Sequence, residues 1–138
     1  MKKLAIVAIL LSGCAISLKD SISESFYAAQ SISVGGEEII KSVCIDIAHS
    51  CQAEGKRQDQ CGGFQACARA HAAFLNAAKS AITALSLADA ARTAGDEKEA
   101  HRLLEAAHIA LGVARDIVSQ FLGVDEPAPI AEEAPPNA

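Results

Sequence analysis

Five cysteines and four histidines are the side chains whose chemistry the spacing can narrow. Cys14 stands alone near the N-terminus, while Cys44, Cys51, Cys61 and Cys67 fall together with six, nine and five residues between them. His49 and His71 lie beside that group; His101 and His108 come later. Four clustered cysteines can close two disulfides, ligate a metal with help from histidine, or cycle as a redox pair. Redox pairs use a CxxC spacing, which is absent, and structural zinc sites use short spacings that these exceed. An even set therefore reads as two bridges.

Helix geometry separates the three possible connectivities. Cys44 and Cys51 on one helix would stand ~10 Å apart, beyond the ~7 Å limit for a bridge. In an antiparallel helical hairpin, facing positions have a nearly constant sum of residue numbers. Cys44 with Cys67 and Cys51 with Cys61 agree to about one residue, whereas the crossed pairing disagrees by about 13, too far for one register. The expectation is nested bridges, Cys44–Cys67 and Cys51–Cys61, with the turn near Lys56. No metal ligand set is assigned. His71 falls on an apolar helical stripe and reads as a core histidine with one hydrogen bond. His101, Glu105 and His108 share a face, but the two imidazoles lie ~10 Å apart and read as solvated. His71, His101 and His108 stay as the candidate ligands should a metal bind.

Cys14 has a different context. Lys2-Lys3 precede an apolar run from Leu4 to Leu11, which is followed by Ser12, Gly13 and Cys14. Eight helical residues reach only ~12 Å, too short for a ~30 Å hydrocarbon core but suited to a secretory signal. Leu11-Ser12-Gly13-Cys14 resembles the lipobox of bacterial lipoproteins at all four positions. The resemblance covers about the first 15 residues. It implies cleavage before Cys14, a diacylglycerol on its sulfur and acylation of the new amine. Ala15 in place of Asp implies outer-membrane rather than inner-membrane residence, facing the periplasm, in a Gram-negative host. Two or more acyl chains anchor stably, at ~0.8 kcal/mol per buried CH₂.

The elements that must position the paired cysteines are helical. Much of the apolar content is alanine, there is no Trp, and aromatics make up 4% of the chain; alanine has the best helix propensity and buries little area. The expected class is all-α: a small three- to four-helix bundle with a disulfide-stapled helical hairpin and a disordered, acidic, Pro-rich C-terminal tail. Residues 1–13 read as signal, 14–20 as a lipidated tether, 21–123 as the bundle and 124–138 as the tail, which holds all four prolines and four acids.

Within the bundle, Leu18, Ile22, Phe26 and Ala29 predict a first helix to about Val34, broken or bent at Gly35-Gly36. Glu37-Glu38 would then open a second helix, to about Ala53, with Ile40, Val43, Ile47 and Cys51 along one side. Residues 54–63 read as a loop. A third helix runs from about Phe64 to Thr93 on a stripe of Phe64, Cys67, His71, Phe74, Ala78, Ile82 and Leu85. Gly95 suits a C-cap, and Asp96 with Glu99 suits a capping box. A fourth helix reaches about Leu122, with Leu104, Ala107, Leu111, Ala114, Val118 and Phe121 inward. Residues 84–112 look like a single tetratricopeptide-type hairpin. Such arrays need about three repeats, so the small residues read as those of any tight helical crossing.

The formal net charge is −5, and about −7 once Lys2 and Lys3 are removed. With no basic stripe, a nucleic-acid partner is not expected. No Gly-rich phosphate loop, Ser/His/Asp arrangement or internal carboxylate pair stands out. The expectation is a non-enzymatic accessory, structural or protein-interaction lipoprotein of the envelope without a cofactor. Its partners would be the bilayer, through Cys14, and another envelope protein. A phage- or mobile-element role in lysis or exclusion fits such a short chain. The alternative is a periplasmic module that binds a metal or small ligand.

Overall fold

A computed structural model describes residues 17–122, which form three helices and no strand. Helix α1 spans Leu18–Ala53, α2 spans Gly62–Thr93 and α3 spans Glu97–Phe121, with a short 3-10 turn at Gln58–Gln60. The stretch expected as a signal, Cys14 and the 124–138 segment expected as a tail lie outside the described residues. The Ser17 hydroxyl accepts a 3.2 Å hydrogen bond from the Asp20 amide and starts α1, so the helix begins inside the stretch expected as a 14–20 tether.

Gly35-Gly36 do not break the chain: α1 is one helix of 36 residues, ~54 Å long. Each glycine costs a helix about 1 kcal/mol relative to alanine, and tertiary packing supplies the reason for one of them. A Cβ on Gly36 would lie 2.7 Å from both Phe74 Cζ and Val118 Cγ2. The missing side chain lets α2 and α3 close onto α1 at the same level. Gly35 has open space around it. Glu37 and Glu38 are consequently mid-helix residues rather than a new first turn.

Two turns connect the helices, and each ends its helix with a Schellman motif. At the first, Gly55 has φ +75° and its amide bonds the Gln52 carbonyl, while the Lys56 amide bonds that of Cys51. At the second, Gly95 has φ +84°, with the Gly95 and Asp96 amides bonded to the Arg92 and Ala91 carbonyls. A residue with a Cβ is disfavoured at either left-handed position. The Asp96 side chain caps α3 by accepting from the Glu99 amide at 3.1 Å. The reciprocal half of the expected capping box is absent, because Glu99 turns its carboxylate to Arg102.

The three helices run up, down and up. Ile22, Ala29, Ala81, Leu85, Ala88, Leu104, Ala107 and Leu111 form the main core. Ile40, Phe74 and Ala114 form a second cluster, sealed by Val118 and Phe121. Ala81, Ala88, Ala100, Ala107 and Ala114 are fully buried where helices cross, which is the tight hairpin expected of those small residues. Leu87, part of the repeat-like pattern, is exposed.

Because α3 stops at Phe121 against the second cluster, the α1–α2 hairpin projects beyond it as a pair of helices. Between Lys41 and Ala70 the only buried residues are Cys61 and Cys67. The covalent staples stand where the apolar core has run out.

Candidate functional site

The projecting hairpin carries both disulfides, in the nested register. Cys44 and Cys67 are joined with Cα atoms 5.7 Å apart, and Cys51 and Cys61 with Cα atoms 6.1 Å apart. Both separations fall in the ordinary range for a bridge. Along α1, Cys44 and Cys51 are two turns apart on one side; Cys67 answers from α2 and Cys61 from the turn before it.

Beside the bridges the hairpin forms an open cleft of about 1020 Å³, to which no residue of α3 contributes. Ile45 and Ala48 of α1 and Phe64 and Ala68 of α2 are its apolar lining. Ile45 is 53% exposed, a large apolar side chain left uncovered. Lys56 and Arg57 stand at the turn end; Lys41 and His71 stand at the other. Lys41 Nζ is 2.7 Å from Glu37 Oε1, while Arg57 forks onto Asp59 and Lys56 pairs with Glu54 at 3.0 Å. Such exposed pairs are worth only about 0–1 kcal/mol, so they exchange easily for another partner.

His71 differs from its sequence expectation. The side chain is half-buried, but Nε2 is buried without a hydrogen bond. The nearest carboxylate, Glu37 Oε1, is 3.8 Å away, too far for one. An unsatisfied buried polar atom costs about 1–3 kcal/mol. The hydrogen bond and charge of Lys41 hold the Glu37 carboxyl below its ordinary pKa, with His71 adding a smaller pull.

The other histidines are not brought together. His49 is exposed on the cleft wall. His101 is exposed on α3, and among the described residues no ligand from another helix joins it to His108. Among the described residues, no three His, Cys, Asp or Glu side chains converge on a point that could hold a metal ion.

His108 instead pairs with Ser25 of α1, Oγ to Nε2 at 2.8 Å. Sequence reasoning missed this pair, because 83 residues separate its members and only the register of α1 against α3 joins them. A serine beside a histidine invites comparison with a nucleophile and its base. Ser25 sits inside α1, however, where backbone amides are already committed to the helix ladder, so its own helix offers no free oxyanion donors. The pair is an interhelical hydrogen bond that satisfies Ser25, the buried polar residue of α1.

No known protein family, curated protein or solved structure matches the chain. No helix among the described residues is long and apolar enough to cross a membrane.

Proposed function

We propose that the chain is an exported lipoprotein, tethered through Cys14, whose helical bundle serves a non-enzymatic accessory or interaction role at the bacterial envelope. The observation that carries this reading is the cysteine partition. Four cysteines pair within the hairpin, and the fifth is the one set in the Leu11-Ser12-Gly13-Cys14 motif. Stable structural bridges belong to oxidising compartments such as the periplasm, so the bridges and the lipobox support the same address by independent chemistry. Ser17, which caps α1, is only three residues beyond Cys14. The bundle would thus stand close to the bilayer, with the 124–138 segment, four acids and four prolines, as its other flank. Outer-membrane residence follows from Ala15 by the lipoprotein resemblance. A partner in the envelope, and a phage or mobile-element origin, belong to the same proposal.

Labelling of expressing cells with radioactive palmitate tests it. The wild-type chain should incorporate label, fractionate with membranes and shorten by 13 residues on maturation. Cys14→Ser should incorporate none and keep the precursor length. Equal labelling of the two chains would overturn the anchor.

A further inference from the structure

The cleft beside the disulfides combines three features that point to a ligand and that the anchor proposal does not use. Its lining includes an uncovered apolar stretch, with Ile45 of α1 more than half exposed and Phe64 contributed by α2. Its volume of about 1020 Å³ is at the upper end for small-molecule sites, which combine an apolar lining with a few placed polar groups. At its inner end His71 has a buried Nε2 with no hydrogen bond, and the same Glu37 oxygen lies 3.8 Å from that nitrogen and 2.7 Å from the Lys41 ammonium. Lys41, Lys56 and Arg57 line the cleft, each in an exposed pair with Glu37, Glu54 or Asp59, and a ligand anion can take over such a cation because the pairs it replaces are weak.

We propose that the cleft binds a small amphiphilic organic acid, its carboxylate between His71 Nε2 and Lys41 Nζ and its apolar body along Ile45, Ala48, Phe64 and Ala68. The occupant is a free monocarboxylate rather than a membrane lipid. Glu37 is then an internal competitor. Its carboxylate holds Lys41 at 2.7 Å and approaches His71 to 3.8 Å without completing a hydrogen bond. One-third exposed, it can swing into solvent when the ligand carboxylate arrives. The incoming group would give the orphaned Nε2 a hydrogen-bond partner, and charge-assisted bonds of this kind are the strong ones. The two bridges hold the walls at fixed separation, which keeps the cleft preorganised. This inference does not depend on Cys14 being lipidated.

The test titrates the full chain, in phosphatidylcholine nanodiscs, with sodium octanoate below its micelle concentration; empty nanodiscs are the blank. The His71 ring and Ile45 methyl resonances report binding. Saturable shifts of both are expected, with 1-octanol binding about tenfold or more weakly, because it offers no charge. Lys41→Ala, at an exposed position, and His71→Ala should each weaken octanoate about tenfold, which corresponds to about 1.4 kcal/mol. Glu37→Gln should tighten it by roughly threefold or more, since the competitor loses its charge. Circular dichroism and intact bridges establish that each variant is folded. Octanol binding as well as octanoate, octanoate affinity unchanged in both Lys41→Ala and His71→Ala, weaker binding in Glu37→Gln, or no saturable shift at all would each overturn the proposal.

Discussion

Removing the nested bridges one at a time tests whether they hold the hairpin as argued. Chain-entropy arithmetic sets the scale from the two sequence separations, 23 for Cys44–Cys67 and 10 for Cys51–Cys61. Closed alone, the outer loop restricts the unfolded chain by about 3.4 kcal/mol and the inner by about 2.7 kcal/mol at 25 °C. Nesting changes the increments. With the inner bridge in place, the outer one closes an effective loop of only about 14 residues and contributes about 3.0 kcal/mol. With the outer in place, the inner adds about 2.2 kcal/mol, and the two together give about 5.6 kcal/mol. That total rivals the entire stability of a small domain, which runs at about 5–15 kcal/mol. Urea unfolding followed by circular dichroism should therefore rank Cys44→Ala/Cys67→Ala below Cys51→Ala/Cys61→Ala, with the fourfold variant losing most of the transition. A fourfold variant that lost less than about 1 kcal/mol would refute the reasoning, because the bridges would then be redundant with packing. So would an inner pair that mattered more than the outer.

The two adjacent glycines should respond oppositely to alanine. Gly36→Ala should destabilise by about 1–3 kcal/mol from overpacking against Phe74 and Val118, whereas Gly35→Ala, in open space, should stabilise by up to about 1 kcal/mol; thermal melts read both. Phe74→Ala, which empties the second core cluster, should cost about 3–5 kcal/mol in the same melts. Acid titration of stability reads Glu37. Its folded pKa is depressed below 4.5 by Lys41, so its contribution is full above that value and lost as pH falls through the lower folded value. Glu37→Gln should remove that part of the acid slope by lowering stability slightly above pH 5, with the two chains converging in acid where Glu37 is protonated; an identical slope in the variant would contradict the Lys41 pairing.

Much of this architecture was legible in the sequence. The cysteine register followed from geometry alone, because a bridge tolerates little error in Cα separation and a helical hairpin has one free parameter. The periodic stripes of α2 and α3 located Phe74, Leu85, Leu104 and Leu111, since an amphipathic helix advertises its buried face in its spacing. Gly36 was misread for an equally physical reason. Local propensity treats a glycine pair as a break, while the cause here is a side chain 38 residues away in sequence that needs the space. The Ser25–His108 bond and the orphaned His71 nitrogen were invisible for the same reason. Each depends on the relative rotation of two helices, which no local pattern encodes. The cleft was hidden too, since it arises from α3 ending a few turns short of the hairpin tip.

Non-reducing peptide mass mapping of the membrane-extracted protein tests the proposed Cys14 anchor and the two internal bridges at once. The expected products are an N-terminal peptide that begins at Cys14 and carries diacylglycerol, together with crosslinked peptides joining Cys44 to Cys67 and Cys51 to Cys61. A peptide that runs unmodified through Gly13 and Cys14, or four free thiols in the hairpin, would contradict it.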